Sequence, residues 1–495
     1  MDFSQISEET LALIKATTTG MTSDTGLFGV DLGPLVSLVP VVTPFRDMLA
    51  REAAGQGSDN ATWRALLNIN SQQPNPFVGR DKAGGVIKTQ LINVSSPYFP
   101  IAEGYSVTED AVAYAGGYAD AKAVEIFNAI NQWKINEEKA LLGGQTFTLG
   151  QPGTMTTSTA TTGGSIAAST AVHVGVAART LAGYFWCTGN SKGQTGSKTT
   201  GSGTATNTVT GTVASVRGAV AYDWFQSADG TTWYYYTTTV IPTVTMTSTI
   251  SSNNDVPTTL PDLSTTVPTF SSSGDNGSDG KNSDGDYTQF NGLLATLAGD
   301  YSSDGPLVSY GSGTDNGSTW KDAAGSALSV AGGGIAEFDD LFLSIYNKTR
   351  LSPTALMLSS REANGVSQIV LDNPGAVTYL TMNDAQGRTE IVAGGQVATY
   401  VNRSVPGATV KLEVHPHIPP GTIVARTDRV NYPNSNISNV FAARCLRDVY
   451  DYIYGSDRNS GGPRQDGEAR SVETFVNRAP VACGVIHGLD EYVAS

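Results

Sequence analysis

The segment from Val107 to Leu142 constrains the fold of this chain more than any other, because it has the pattern of one long helix. It contains no proline, and its apolar or small residues recur in steps of three and four, as in an amphipathic helix. Those residues are Val112, Ala115, Ala119, Ala123, Ile126, Ile130 and Trp133. Thr108 is placed to cap the N-terminus, and Gly143 and Gly144 are placed to end the helix. The sequence therefore predicts a helical rod of about 54 Å.

The composition changes abruptly behind this helix. From about Gln145 to Gly285 the chain is rich in Thr, Ser and Gly, and short β-branched or aromatic runs alternate with turn residues. Short strands at such spacing are typical of a small β-sandwich. When this block is set aside, about 350 residues with mixed helical and strand-like patterns remain. We therefore predict an α+β protein into which an all-β domain, residues 146–285, is inserted.

The rest of the chain alternates between helical and strand-like patterns. Alternating polar and apolar stretches in 61–106, such as GGVIKTQLINV (84–94), predict a hairpin or a long β-loop. Helices are predicted at 7–16, from Pro44 onward, and at 288–299, 335–349, 361–373 and 439–454. Strands are predicted at 354–360, 389–402, 409–416, 422–427 and 472–489.

An aromatic cluster, GAVAYDWFQSADGTTWYYYTTT, occupies residues 218–239 of the Thr-rich block. Its Asp229–Gly230 pair is the signature of a two-residue hairpin turn. Such a turn would pair Gln226 with Trp233, Trp224 with Tyr235 and Tyr222 with Thr237 on one face, and Phe225 with Tyr234 and Asp223 with Tyr236 on the other. We interpret Tyr222 and Trp224 as core residues of the sandwich. Tyr234 and Tyr236 fit either a Tyr-rich outer face or a carbohydrate-binding platform.

Composition excludes several classes of protein. The formal net charge of −15 argues against sequence-independent nucleic-acid binding, which needs clustered Lys and Arg. Cys187, Cys445 and Cys483 are far apart, so we expect neither a disulfide framework nor a paired-cysteine metal site, as in a reducing compartment. The N-terminus lacks a basic region followed by an apolar run, so no signal peptide is expected. No window approaches 18 apolar residues, so no membrane span is expected.

Two motifs have the residue types of a metal site. His415 and His417 form an H-x-H pair that could ligate a metal, but no third ligand is near in sequence and prolines follow. Residues 275–286, DNGSDGKNSDGD, match a calcium loop at relative positions one, five, six and twelve. Gly277, however, stands where such a loop has Asp or Asn. We interpret the histidines as part of a turn and the acidic segment as a solvated linker.

The remaining polar residues do not converge on a reaction. His173 and His487 are interpreted as packed histidines, and the Asp339–Asp340 pair as helix-dipole and surface charges. The sequence contains neither a nucleophile elbow nor a dinucleotide fingerprint. We therefore predict no catalytic, cofactor-binding or metal-binding residues, and no enzyme activity.

An ordered set of motifs carries a resemblance to a known family. The motifs are VTPFRDMLARE (42–52), INEEKALLGG (135–144), FNGLLATLAG (290–299), FDDLFLSIYNKTRLSPTALMLSSREANGVSQIV (338–370) and VETFVNRAPVACGVIHGL (472–489). In this order the chain resembles the major capsid proteins of tailed bacteriophages, with the Hong Kong 97-type fold. Residues 146–285 are similar to the Thr-rich immunoglobulin-like or fibronectin-like insertions of some such proteins.

The resemblance implies a division of the chain into parts with known places in a shell. They are an N-terminal arm (1–50), an extended β-loop (51–106), the spine helix of a peripheral domain (107–145), the inserted β-domain (146–285), the rest of the peripheral domain (286–374), an axial domain (375–470) and a C-terminal strand that returns to the peripheral domain (471–495). Apolar arm residues, namely Leu35, Val36, Val41 and Phe45, would then bury against other subunits. Lys82 and Lys88 lie on the predicted loop, where some members of the family form cross-links, but the sequence does not place their partners.

The function that the resemblance implies is structural. Hexamers and pentamers of the chain would close into an icosahedral shell, assembled in the host cytoplasm, that encloses double-stranded DNA in the virion. The inserted domain would face the exterior, and scaffolding, portal and decoration proteins are the implied partners; no cofactor is implied. Two alternatives stay open. One is an encapsulin-like compartment shell. The other is a surface adhesion protein with an immunoglobulin-like carbohydrate-binding module, which should carry a signal peptide.

Overall fold

A computed structural model gives the fold of the chain. The structure describes residues 39–55, 57–71, 77–83, 87–115, 120–186, 191–257, 260, 263–274, 288–299, 318–372, 381–383, 389–391, 397–432, 435–454 and 464–492. The predicted helix at 7–16, the acidic segment 275–286 and Cys187 lie outside these residues.

Helices and strands are both abundant in the described residues. The helices are α1 (Pro44–Met48), α2 (Glu109–Ala115), α3 (Ala121–Gly143), α4 (Leu181–Trp186), α5 (Leu293–Ala298), α6 (Ala336–Thr349) and α7 (Ser360–Asp372), with a 3₁₀ turn at Pro480–Ala482. The strands are β1 (Ala50–Ala53), β2 (Asn60–Ser71), β3 (Ile87–Pro97), β4 (Phe99–Thr108), β5 (Thr156–Ala160), β6 (Ala171–Arg179), β7 (Gln194–Thr199), β8 (Thr208–Thr212), β9 (Ala221–Ser227), β10 (Tyr234–Thr239), β11 (Thr243–Met246), β12 (Thr319–Asp322), β13 (Val330–Ala331), β14 (Gly334–Ile335), β15 (Ala355–Leu358), β16 (Thr381–Asn383), β17 (Thr389–Ile391), β18 (Thr399–Val401), β19 (Thr409–Val414), β20 (Ile423–Arg426), β21 (Val430–Tyr432), β22 (Ser435–Ile437), β23 (Phe441–Ile453), β24 (Arg464–Asn477) and β25 (Gly484–His487).

The helix α3 lies on a four-stranded sheet with the order β1–β23–β24–β4, which we call the spine sheet. Strand β1 is parallel to β23, whereas β24 is antiparallel to both β23 and β4. Tyr105 and Val107 of β4 pack against Ala129 of α3. Residues of β4 alternate between this helix-facing side and an exposed side, as the period of a strand requires.

The predicted helix from Val107 to Leu142 is shorter than its pattern suggested. Val107 and Thr108 end strand β4, because they pair with Gln465 and Arg464 of β24. Thr108 nevertheless caps the next helix as predicted, since its hydroxyl accepts a hydrogen bond from the amide of Ala111 at 3.3 Å. A second cap, Asp120, starts α3, which has 23 residues and a length of about 35 Å. The predicted end at Gly143–Gly144 is confirmed.

The prediction of a helix at 439–454 was wrong, because this segment forms the 13-residue strand β23. Its residues Ala442, Leu446, Val449 and Ile453 recur in steps of four, three and four, so the pattern also fits a helical stripe, which explains the error. The distal half contains Val449, Tyr450, Tyr452 and Ile453, and β-branched and aromatic residues favour strands. Pairing with β24 on one side and β1 on the other decides the outcome.

A six-stranded sheet with the order β12–β25–β20–β15–β19–β18, here the central sheet, forms a second layer. Phe338, Leu341 and Phe342 of α6 share a hydrophobic core with Leu356 and Ile423 of this sheet. The predicted helices at 288–299, 335–349 and 361–373 are confirmed as α5, α6 and α7, and the predicted strand at 354–360 as β15.

Strands of the central and spine sheets come from several of the predicted segments. The central sheet takes β12 and β15 from 286–374, β18 to β20 from 375–470 and β25 from 471–495. The spine sheet takes most of β1 and of β4 from the segment 51–106, and β23 from 375–470. Its strand β24 begins in 375–470 and ends in 471–495. The division of the chain into domains stays a prediction.

The Thr-rich block folds into two facing sheets, with the orders β10–β9–β6–β7 and β11–β8–β5. Val174 and Trp224 of the first sheet share a core with Val209 and Val244 of the second. This confirms the predicted sandwich of short strands, whereas its assignment to an immunoglobulin-like class stays a prediction. The core also includes Ala295 of α5, so the block packs directly on the rest of the molecule.

The predicted register of the aromatic hairpin was wrong. The observed pairs are Tyr234–Gln226, Tyr235–Phe225, Thr237–Trp224, Thr238–Asp223 and Thr239–Tyr222, with a bulge after Tyr235. The cause is a longer loop, in which the Asp229 carboxylate accepts hydrogen bonds from the amides of Thr231 and Thr232 at 2.9 and 2.8 Å. The interpretation of Tyr222 and Trp224 as core residues is confirmed, since they are 1% and 0% exposed.

Candidate functional site: the projecting hairpin and the arm junction

Strands β2 and β3 form a two-stranded antiparallel hairpin that is separate from the larger sheets. Its ladder runs from Asn60–Pro97 to Ser71–Ile87, a length of roughly 40 Å. At the base, the hydroxyls of Ser96 and Thr474 are 2.7 Å apart, which ties the hairpin to β24. This confirms the hairpin predicted within residues 61–106.

The far end of this hairpin is exposed in the single subunit. All described residues from Phe77 to Ala83 are exposed, and Phe77 has 83% of its surface accessible. Lys82, which the sequence placed on this loop, is among them. An isolated two-stranded hairpin is marginally stable in water, and an exposed phenylalanine at its end favours contact with another surface.

A second exposed apolar surface lies on the distal half of β23. Leu446, Val449, Tyr452 and Ile453 are each between 39% and 49% exposed. In the described residues, β1 pairs with β23 only over Ala442–Cys445, so the distal half has no neighbour on that edge. Such an edge and its apolar side chains are suited to contact with another subunit.

The N-terminal arm, in contrast, is attached to its own chain. Phe45 of α1 is 2% exposed, and its ring centroid is 6.1 Å from that of Phe441 and 5.9 Å from that of Phe475. The expectation that Phe45 buries against another subunit was therefore wrong, because the aromatic pair at the start of β23 and the end of β24 already covers it. Val41 is half-buried, and Leu35 and Val36 lie outside the described residues.

Glu138 of α3 fixes the start of the arm helix. Its fully buried carboxylate accepts hydrogen bonds from the amides of Phe45 and Arg46, at 3.0 and 2.6 Å. These amides belong to the first turn of α1 and have no partner within the helix. The Nε2 atom of His415 lies 2.7 Å from the same carboxylate. The side chain thus joins the arm to the end of β19.

Glu137, the preceding residue of α3, holds the two arginines of the arm. The guanidinium groups of Arg46 and Arg51 both donate to its carboxylate, which is fully buried. Both guanidinium groups also lie near the ring of Trp133, at 5.3 and 5.9 Å from its centroid. Trp133 is completely buried, so one aromatic ring and one carboxylate fix both arginines.

A third buried carboxylate, that of Glu473 on β24, completes the arm junction. Arg51 Nη1 lies 3.5 Å from Glu473 Oε2 and 2.6 Å from Asp448 Oδ1, and Asp448 is exposed to solvent. Burial and the neighbouring Glu137 raise the pKa of Glu473 to about 8. We use the name arm junction for Arg46, Arg51, Glu137, Glu138, His415, Cys445 and Glu473, with Asp448 at its solvent rim.

The arm junction was not predicted, although the sequence contains a signal for it. Trp133, Glu137 and Leu141 are spaced by four residues, so the acidic residue lies within the apolar stripe of the helix. An acid in such a stripe requires a buried partner. Neither Arg46 nor Arg51 is marked out as that partner by its position in the sequence.

The histidines predicted as a possible metal pair do not form such a site. His415 is paired with Glu138, and its Nδ1 accepts a hydrogen bond from the amide of His417 at 3.2 Å. Among the described residues, no group of three metal-ligating side chains comes together. His487 is packed as interpreted, with its ring 5.1 Å from that of Trp320, and burial lowers its pKa to about 4.

The cysteines and the acidic pair also have structural surroundings. Burial raises the pKa of the thiols of Cys445 and Cys483 to about 12, so both remain protonated at neutral pH and are poor nucleophiles. Asp339 accepts a hydrogen bond from the hydroxyl of Tyr400 at 3.0 Å, and Asp340 pairs with Lys321 at 2.8 Å.

Part of the aromatic cluster of the inserted block is covered by its own chain. Phe225 and Tyr235 point away from the sandwich core, and Phe270 packs over Phe225 with ring centroids 4.9 Å apart. Trp233 lies 4.6 Å from the same Phe270 ring. Tyr236 is half-buried, and its hydroxyl accepts a hydrogen bond from the amide of Thr247 at 3.0 Å. Tyr234 is likewise half-buried, so the choice between a Tyr-rich outer face and a carbohydrate-binding platform for these two tyrosines stays a prediction.

An open cavity of about 330 Å³ lies between the start of β4, α3 and α4. Its apolar lining includes Phe99, Ile101, Trp186 and Phe290, and the described lining residues include no titratable side chain. No described lining residue could therefore serve as a general acid or base. Separately, none of the helices in the described ranges is both long and apolar enough to cross a membrane.

The sequence matches no known family, but several solved structures are similar to the structure of this chain. No family model and no curated protein matches the sequence. The capsid of the native GTA particle is similar with a TM-score of 0.42 and 9% identity, over 98% of this chain and 99% of that chain. The cyanophage A-1(L) capsid has a TM-score of 0.42 and 10% identity, over 94% of this chain and 98% of that one. The holo-SrpI encapsulin complex of Synechococcus elongatus PCC 7942 has a TM-score of 0.39 and 8% identity, over 94% and 95%.

Proposed function

We propose that the chain is the major capsid protein of a tailed bacteriophage. In this role, hexamers and pentamers close into an icosahedral shell around packaged double-stranded DNA. The observation that carries the proposal is the β2–β3 hairpin, a two-stranded extension of roughly 40 Å with an exposed Phe77 at its end. In a shell, a neighbouring subunit would support this hairpin and cover the phenylalanine.

The order of elements supports the same proposal. The arm helix α1, the hairpin, the helix α3 on its sheet and the central sheet follow one another in the order that the motif resemblance implies. The exposed residues of distal β23 offer a second contact surface on the same molecule. Two contact surfaces at different places on one subunit allow assemblies larger than a dimer.

The inserted sandwich is proposed to lie on the outside of the shell. Its strands all fall between the end of α3 and the start of α5, so it can be added without interrupting a strand or a helix of the rest of the chain. We propose a stabilising role or weak adhesion to surfaces for it. The net charge of −15 suits a shell that encloses DNA without binding a particular sequence.

Electron microscopy of the purified full-length chain tests the proposal. We expect uniform closed shells in negative stain, and we expect Phe77→Asp to abolish them while leaving a folded subunit. Arg80→Gln is the matched control, because Arg80 is exposed on the same loop and its change should leave the shells intact. A monodisperse monomer at every protein and salt concentration would overturn the proposal. Shells from the native source that hold a protein cargo and no DNA would indicate an encapsulin-like compartment instead.

A further inference from the structure

The arm junction contains an unequal number of buried charges. Glu137, Glu138 and Glu473 are fully buried, whereas the cations that face them are Arg46 and Arg51, with side chains 16% and 26% exposed. If all three carboxylates were ionised, the buried set would carry one uncompensated negative charge. Burying such a charge is costly, so one bound proton brings the set to neutrality at much lower free energy.

The geometry places that proton between Glu473 and Glu137. The Oε1 atom of Glu473 is buried and accepts no hydrogen bond from any donor in the described residues. Glu473 and Glu137 both contact the guanidinium of Arg51, which brings their carboxyl groups to the same place. Two carboxyl groups can share a hydrogen bond only when one of them is protonated.

The other groups around Glu473 do not supply the missing positive charge. On β23, Cys445 is a neutral thiol 3.6 Å from Glu473 Oε2, and Asp448 is a further acid at the solvent rim. On β4, the residue opposite Glu473 is Phe99. His415 contacts Glu138 on the far side of the junction. Arg51, shared with Glu137, is thus the one cation within reach of Glu473 in the described part of the chain.

We infer that the arm junction is a proton-controlled latch: the arm segment 44–53 is held against α3 while the Glu137–Glu473 pair retains a proton, and is released when that proton is lost. The arm is the element that yields, because α1 has five residues and β1 four, whereas β23 and β24 are long paired strands. This property belongs to the single subunit and does not depend on the proposed shell.

The direction of the pH effect follows from the sign of the shift. Glu473 has a pKa of about 8 in the folded junction, above the ordinary value of 4.5. The closed junction therefore binds the proton more tightly than the open one, so its stability is complete below pH 4.5 and is lost as the pH rises towards 8. In this range the opening equilibrium should rise by up to about tenfold per pH unit, and above it the effect should level off.

Hydrogen exchange of the full-length protein measures this opening. Protection factors, taken relative to unfolded-chain rates at each pH, should fall about 100-fold for residues 44–53 between pH 5.5 and 7.5. Residues 336–349 of α6, far from the junction in sequence and packed in another core, should show no such fall. A flat pH profile for residues 44–53 would overturn the inference.

Variants separate the latch from a general loss of stability. Glu473→Gln mimics the protonated side chain, so we expect the arm to stay protected up to pH 9. Asp448→Asn is the matched control, because it removes an exposed acid beside the same arginine and should keep the wild-type pH profile. A wild-type profile in Glu473→Gln would contradict the inference. Should that variant fail to fold, Glu137→Gln makes the same test, because it leaves two carboxylates for two arginines and should also abolish the pH dependence.

Discussion

Two buried ionic sites in this molecule differ in how their charges balance. In the inserted sandwich, Arg179 and Asp223 are both fully buried, and Arg179 Nε is 2.9 and 3.0 Å from the two carboxylate oxygens. Arg179 also donates to the carbonyl of Gly183 at 2.6 Å, and Thr238 donates to Asp223 at 2.6 Å. One cation meets one anion there, whereas the arm junction has three carboxylates for two arginines.

The comparison shows what one surplus carboxylate adds to a buried ionic site. In a balanced pair, each buried charge has a partner of opposite sign. A surplus carboxylate has no such partner, so it holds a proton more tightly in the folded state and the site loses stability as the pH rises. The first site thus fixes α4 to the sandwich, and the second can be opened.

The largest expected effect comes from unbalancing the sandwich site. Arg179→Met should lower the free energy of unfolding by about 3–5 kcal/mol, because Asp223 is left buried without its cation. The lone carboxyl should then have a raised pKa, so the variant should lose further stability as the pH rises. Urea unfolding at pH 5 and pH 8.5 measures both effects.

The double change Arg179→Met/Asp223→Leu is the control, and it should recover stability and remove the pH dependence. An equal loss of stability at both pH values in the single variant would contradict the comparison.

A smaller effect is expected from Glu138, which caps α1. Glu138→Gln keeps one acceptor oxygen but removes the charge that receives the amides of Phe45 and Arg46. We expect a loss of about 1–3 kcal/mol, the range for hydrogen bonds to charged groups, and faster protease cleavage near residue 44. Glu125→Gln, an exposed change on the same helix, serves as the control with a loss of less than about 0.5 kcal/mol. Equal effects of both variants would show that the cap contributes nothing specific.

The smallest effect is expected at the solvent rim of the junction. Asp448 contacts Arg51 at 2.6 Å, but its side chain is 66% exposed. Water and salt screen such a pair, so Asp448→Asn should change the free energy of unfolding by less than about 1 kcal/mol, and less at 1 M salt than at 0.1 M. Urea unfolding at the two salt concentrations checks this. A loss of several kcal/mol would mean that the rim acid belongs to the buried set.

Local signals in the sequence predicted much of the secondary structure. The caps at Thr108 and Gly143–Gly144, the helices α5 to α7 and the buried strand β15 all follow from residues close to one another in the chain. The segment 439–454 was misassigned because its apolar residues fit both a helix and a strand. The aromatic hairpin was misregistered because the Asp229 side chain bonds to the loop backbone, which pattern rules for two-residue turns do not include.

By itself, the sequence determined the α+β class, the Thr-rich sandwich, the projecting hairpin and the core position of Trp224. These features depend on periodicity, composition and turn residues, which act over a few positions. Only the tertiary structure decided that Phe45 is covered by Phe441 and Phe475, and that Glu137 and Glu473 share one buried site with two arm arginines. The reason is physical: pairing and charge balance depend on which distant residues meet, and no local pattern encodes those contacts.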